Sequence, residues 1–272
     1  MTRLAGLVIG VLVVSAGGAA AQVALPPPPE GHTLVWHDEF DRDGLPDAAR
    51  WSYDVGAGGW GNKEPQFYTE RRPENARVEG GHLVIEARKE SWQGAPYTSA
   101  RLVTKGKGDW TYGRVEVRAR LPRGRGSWPA IWMLATTTPK PLRWPDDGEI
   151  DIMEHVGFDH GVVHASVHTK AYHHSIGTQK TAKVEVPDVS EAFHVYAMDW
   201  DRDRVRMSID GREYFAFVRE SDDPRVWPFA GPFHLLLNVA VGGAWGGQQG
   251  IDEASLPYRM VVDYVRVYQR VR

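Results

Sequence analysis

No cysteine occurs among the 272 residues, so a disulfide framework, a thiolate metal site and a lipid-modified cysteine are all excluded. Excess charge of one sign is missing too. The 32 Lys and Arg nearly balance 35 Asp and Glu, for a formal net charge of −3. That argues against polybasic recognition of nucleic acid or of an anionic membrane. No apolar run is long enough to span a bilayer comfortably. Beyond the first 21 residues no stretch keeps helical periodicity, although short helices near Pro46–Arg50 and Ser190–Ala192 fit the pattern. What the chain has in plenty is Trp (11) and Gly (29), with 42% hydrophobic residues, enough for one well-buried domain. Many Trp suit a surface that stacks on the C–H faces of sugars, while several must serve the core.

Residues 1–21 read as a secretory signal. Arg3 supplies the positive end, Leu4 to Val14 the apolar stretch, and Ala19-Ala20-Ala21 the small-residue cleavage site before Gln22. Residues 22–32, with Pro26 to Pro29, form a stiff spacer. The folded unit is expected over 33–272. A secreted or periplasmic location follows, with no membrane attachment once the signal is removed, and a monomer is expected.

From Thr33 onward short strands alternate with turn residues. Arg114 to Leu121 alternates apolar and polar without a break, and Asp210-Gly211 and Gly80-Gly81 are two-residue hairpin signals. Many short strands in one domain, with no internal repeat, point to a β-sandwich or jelly roll.

The chemistry concentrates in Asp147-Gly148-Glu149-Ile150-Asp151-Ile152-Met153-Glu154-His155. In an extended chain Glu149 and Asp151 share one face and Ile150 and Ile152 the other. Strict alternation would turn Glu154 inward, so one extra residue, a β-bulge, is needed to return it to the acid face. Carboxyls that close cannot all ionise, and their pKa values must split. A split pair is what retaining glycoside hydrolysis uses. Upstream, Trp128 and Trp132 lie on one strand face, with Ile131 and Met133 on the other. Two such neighbouring strands give a sheet face carrying rings and acids, the outline of a saccharide cleft.

Gly148 to Glu154, preceded by Trp128-Pro129-Ala130-Ile131-Trp132-Met133, resembles glycoside hydrolase family 16, in particular its laminarinase-like endo-β-1,3(4)-glucanases. Gly59 to Thr69 and Asn238 to Gly243 with Trp245 resemble further family segments, in the same order. The resemblance implies an all-β jelly roll of the concanavalin A-like kind with a concave-face cleft. It implies endo-hydrolysis of β-1,3-glucan, and of mixed β-1,3/1,4-glucan, with retention. By motif position Glu149 would be the nucleophile, Glu154 the acid/base, and Asp151 the residue that holds them in different charge states. Asn62, Arg101, Trp128, Trp132, His168 and Trp245 would bind the sugar.

The resemblance also implies a structural calcium at Glu39, Gly81 and Asp263, with no cofactor required for hydrolysis. In the last strand Val261, Asp263, Val265 and Val267 alternate onto one face, and an acid among valines needs a partner, either a bound cation or one of the 32 Lys and Arg. Lys170 to Gln179 is longer and more polar than the resemblance predicts, and is expected to overhang the acceptor side. A metal cluster of His168, His173 and His174 has weak spacing. Agarose, carrageenan or xyloglucan hydrolysis, and glucan binding without catalysis, are the competing readings. Met153 argues against the xyloglucan branch, and the presence of all three acids argues against a pure binding module.

Overall fold

Alternation along the strands makes two sheets that meet over one core. The computed structural model describes residues 25–137 and 140–271; the signal segment 1–21 lies outside them. With strands numbered in chain order, one sheet runs β16 (Arg212–Val218), β15 (Arg204–Ile209), β14 (His194–Trp200), β9 (Gly113–Arg120), β18 (Tyr258–Arg270), β5 (His82–Trp92), β6 (Ala95–Ser99), β3 (Gln66–Tyr68). Two more strands join it, β1 (His32–Asp38) on β18 and β4 (Ala76–Glu79) on β5. The eight-stranded sheet runs β13 (Lys180–Glu185), β12 (Val162–His168), β11 (Glu149–His155), β10 (Ser127–Ala135), β17 (Phe233–Val241), β7 (Arg101–Val103), β2 (Ser52–Tyr53). Its remaining strand, β8 (Asp109–Trp110), pairs with β17. Central neighbours such as β10 and β17, or β9 and β18, are far apart in sequence. These long crossings make the sandwich a jelly roll.

The inward faces supply the core. Ile131 and Met133 of β10, Ile150 of β11 and Leu235 and Leu237 of β17 belong to the same buried cluster as Val117 of β9, Met198 of β14 and Val265 of β18. Each fully buried side chain of this size contributes roughly 1.5–3 kcal/mol. The hairpin turns fall where the sequence puts them. Asp210 and Gly211 both take positive φ (50° and 80°), and so do Gly80 and Gly81 (58° and 79°). That is the backbone a two-residue hairpin of matching twist requires.

Two expectations need correction. The helices near Pro46–Arg50 and Ser190–Ala192 shrink to hydrogen-bonded turns, in which Asp47 and Asp188 carbonyls accept from Trp51 and Ala192. Among the described residues helix is confined to 3-10 turns at Gly157–Asp159, His174–Ile176 and Glu253–Ser255. In β18 the pairing with β9 slips between Val262 and Tyr264. The inward residues there are therefore Val262, Val265 and Val267. Asp263 is thrown outward, where it meets Arg118 at 2.5 Å and His82 at 3.6 Å. Arg118 thus supplies the salt bridge, one of the two kinds of partner that the acid was expected to need.

Candidate active site

On β11 the pairing with β10 runs Leu134 to Glu149 and Trp132 to Asp151, then slips so that Ile131 faces Met153 and Ala130 faces Glu154. Against β12 the slip lies between Asp151 and Glu154. This is a β-bulge. Ile152 and Met153 both enter the core, 1% and 0% exposed. Glu149, Asp151 and Glu154 emerge together on the opposite face, in a cleft of about 390 Å³. The extra residue does what the alternation required of it.

Each glutamate is held by a different indole. Trp144 donates its Nε1–H to Glu149 Oε2 at 2.8 Å, and Trp128 donates to Glu154 Oε1 at 3.0 Å. Beneath them His168 Nε2 lies 3.2 Å from Asp151 and 3.9 Å from Glu149. Ligand atoms of Glu149, Asp151 and His168 all lie within 4.8 Å of one another, the one such cluster among the described residues.

Burial first, and then the Asp151 charge, push the Glu149 carboxyl up to about 8. Burial also lifts Glu154 to about 7; Glu149 adds to the rise, while His168 and the Trp128 N–H oppose it. Asp151 is raised well above the usual aspartate range by burial and by Glu154. The cluster therefore retains protons at neutral pH, as mutual repulsion demands.

The sugar-binding set is only partly brought together. Asn62, Arg101, Trp128 and Trp132 line the cleft. Arg101 lies over the Trp132 and Trp60 rings at 4.5 and 5.0 Å and pairs with Asp54 at 2.9 Å. Trp128 is only 9% exposed, and its N–H is committed to Glu154, so it aims a carboxyl more than it offers a stacking face. Trp245 packs edge-on against Trp128 (5.5 Å) and His164 (5.0 Å), and is not among the cleft-lining residues. His168 is buried under the acids, with its Nε2 facing Asp151 Oδ2 and not the open cleft.

Sequence reasoning missed Trp144, and it covered Glu64, Tyr68 and Asn238 only as parts of the Gly59–Thr69 and Asn238–Gly243 segments, without singling them out as cleft residues. The available signal for Trp144 is a lone Trp in a Pro- and Asp-containing loop immediately ahead of the acid strand. The long segment after His168 does reach the cleft: His174 and Ser175 line it, and His173 and His174 pack on Trp144 at 5.5 and 5.0 Å.

Likeness to known proteins decides the family. Residues 63–266 match the model for glycosyl hydrolases family 16. The chain belongs to that family. It is 59% identical to a beta-glucanase of Rhodothermus marinus over 244 residues, 88% of this chain and 85% of that protein. The laminarinase structure from Rhodothermus marinus superposes with a TM-score of 0.86 at 57% identity, covering 89% of this chain and 98% of that one. The laminarinase catalytic domain of Thermotoga maritima gives 0.80 at 43% identity, covering 89% of this chain and all (100%) of that one. Family membership accounts for the jelly roll that carries the acids.

Glu39, Gly81 and Asp263 come to one corner of the ten-stranded sheet, because Asp38 pairs with Val265 and Leu83 with Val262. Their carboxylates are engaged by arginines. Glu39 accepts from Arg266 Nε and Nη2 at 2.9 and 2.7 Å, and Asp263 accepts from Arg118. Two carboxylates and a carbonyl are the oxygen donors a hard cation uses, and Arg118 is its direct competitor for Asp263.

Proposed function

We propose that this protein is an endo-acting β-1,3-glucan hydrolase that works with retention and also accepts mixed β-1,3/1,4-glucan. The observation that carries the reading is the bulge at Ile152 and Met153, which delivers two glutamates and an aspartate to one cleft face. The glucanase and laminarinase relatives support the substrate class.

In the proposed reaction Glu149 attacks the anomeric carbon. The glycosidic C–O bond breaks as Glu154 gives its proton to the leaving oxygen, leaving a glycosyl-Glu149 ester. Glu154, now a carboxylate, takes a proton from water, whose oxygen displaces Glu149. Asp151 keeps its proton and directs it at Glu149. With Asp151 neutral, its share of the rise at Glu149, second to that of burial, is removed, which favours an ionised nucleophile beside a protonated Glu154. The Trp144 N–H steadies the Glu149 carboxylate on its other side. These steps use side chains alone.

Arg101, Asn62 and Trp132 would take the glycone, and the segment with His174 and Ser175 would border the acceptor. Residues 1–21 would direct export to the periplasm or beyond, with 33–272 acting as a monomeric catalytic unit. A structural calcium at Glu39, Gly81 and Asp263 would tie the first strand to the last.

Incubation with laminarin, curdlan, lichenan and agarose side by side tests the substrate class. Oligosaccharides from laminarin are expected, and failure on all the glucans would remove the reading. Proton NMR of the first reducing ends tests the stereochemistry separately: β-anomers are expected, and an initial α-anomer would contradict two displacements.

A further inference from the structure

Glu64 is a fourth carboxyl at the cleft, 8% exposed, and it makes no contact with the three acids of β11 in the hydrogen-bond pattern. Three donors converge on it. Asn62 Nδ2 reaches Oε1 at 3.2 Å, while Gln66 Nε2 and the Tyr68 hydroxyl reach Oε2 at 2.7 and 3.3 Å. Gln66 and Tyr68 are fully buried, so neither has water as an alternative partner.

The direction of these bonds is forced from their far ends. An indole N–H can only donate. Trp132 Nε1 donates to Asn238 Oδ1 at 2.7 Å, which fixes the Asn238 amide and turns its Nδ2 toward the Tyr68 oxygen at 3.0 Å. With that oxygen accepting, the Tyr68 proton must go to Glu64. A second chain obeys the same logic. The Val241 N–H donates to Gln66 Oε1 at 2.9 Å, so the Gln66 amide must donate onward to Glu64. Both chains end on Glu64 Oε2, which must accept, and Asn62 donates to Oε1, so all three bonds favour the carboxylate.

We infer that Glu64 is a positioning residue for the glycone side of the cleft: as a carboxylate it anchors the Trp132–Asn238–Tyr68 chain, fixing the plane of the Trp132 ring under the sugar. The chain crosses from β10 through its neighbour β17 to β3, which belongs to the other sheet. Trp132 pairs with Asp151 across β10 and β11, so the anchor also settles the floor beside the reacting carbon. Burial raises the Glu64 carboxyl above its ordinary value, and its three donors pull it back toward the charged form. The charged and titratable groups that face it are Arg101 from β7, which favours its ionised form, Tyr68 from β3 and Glu154 from β11. In turn, the Glu64 charge is one of the groups that keep the proton on Glu154. Arg101 is shared with Asp54 and lies over Trp132, so it does not replace the anchor.

The inference rests on the glucanase reading, and its test separates the two. In Glu64→Gln the carboxamide presents an N–H to donors already aimed at it. KM for laminarin should rise about ten- to a hundredfold, the size of a lost charge-assisted hydrogen bond, with kcat within a few-fold. Without the Glu64 charge the Glu154 pKa falls, so the alkaline limb of kcat/KM should move to lower pH. Tyr68→Phe, which cuts the same chain one link away, should raise KM in the same direction, and the double variant should cost less than the sum of the two. A folded Glu64→Gln protein, judged by its thermal transition, with wild-type KM and an unmoved alkaline limb would overturn the role. Additive effects of the two substitutions would overturn it as well. If Glu64→Gln fails to fold, Tyr68→Phe decides in its place: a raised KM supports the anchor and an unchanged KM overturns it. Wild-type enzyme that leaves laminarin uncut would instead overturn the glucanase reading.

Discussion

An indole N–H can donate a hydrogen bond but never accept one, so Trp144 and Trp128 each hold a glutamate oxygen in a single sense. Donation to a carboxylate favours its charged form. In Trp128→Phe the Glu154 pKa should therefore rise, and the alkaline limb of the pH profile of kcat/KM should move to higher pH. This is opposite in sign to the shift expected for Glu64→Gln, so pH–rate curves of the two variants distinguish donor from charge. Glu149→Ala removes the proposed nucleophile: turnover should be lost while laminarin affinity in a pull-down or calorimetric titration stays near wild type. Residual cleavage near wild type would overturn the role. At this scale the three acids were legible because Ile150 and Ile152 alternate with them. Trp144 was not, because a loop residue has no period to betray it, and its partner Glu149 is defined only by the folded path of the chain.

Among the strands, the bulge on β11 is the element that matters most. It was readable because a buried Glu154 would be an uncompensated acid among hydrophobes, so one residue had to be surplus. The slip in β18 was not readable. Val261, Asp263, Val265 and Val267 alternate perfectly on paper, and only pairing with β9 shows that Asp263 is the residue expelled. The hairpins at Gly80-Gly81 and Asp210-Gly211 were plain, since their positive φ values are cheap for such residues. Met153 has no exposed surface and sits in the main core cluster. Met153→Ala should cost about 2–5 kcal/mol, read from urea unfolding, because the bulge pins the cavity open. A loss below about half a kcal/mol would mean that the strand simply closes up.

For the whole molecule, the acid cluster sets a conflict between stability and activity. Glu149 is raised from its ordinary value of 4.5 to about 8, so between those pH values the folded protein holds a proton that the unfolded chain has released. Stability contributed at low pH is then lost as pH rises toward about 8. Glu149→Gln should flatten that decline: its melting temperature should exceed wild type near pH 8, by an amount worth at most a few kcal/mol, and match it near pH 4. Equal curves at every pH would refute the link. If calcium ties Glu39, Gly81 and Asp263 together, adding it after chelation should raise the melting temperature in wild type but not in Asp263→Ala. An unmoved wild type would mean that the side-chain pairs of Glu39 and Asp263, chiefly with Arg266 and Arg118, hold that corner without a cation.

Glu149, Asp151 and Glu154 are borne on a single strand, so the span between the two reacting glutamates is written into one short piece of backbone. Sliding of one layer over the other leaves that backbone span unaltered. Heat should therefore spare the chemical step until the strand itself comes out of its sheet, and the temperature at which catalysis fails should coincide with the temperature at which the molecule melts.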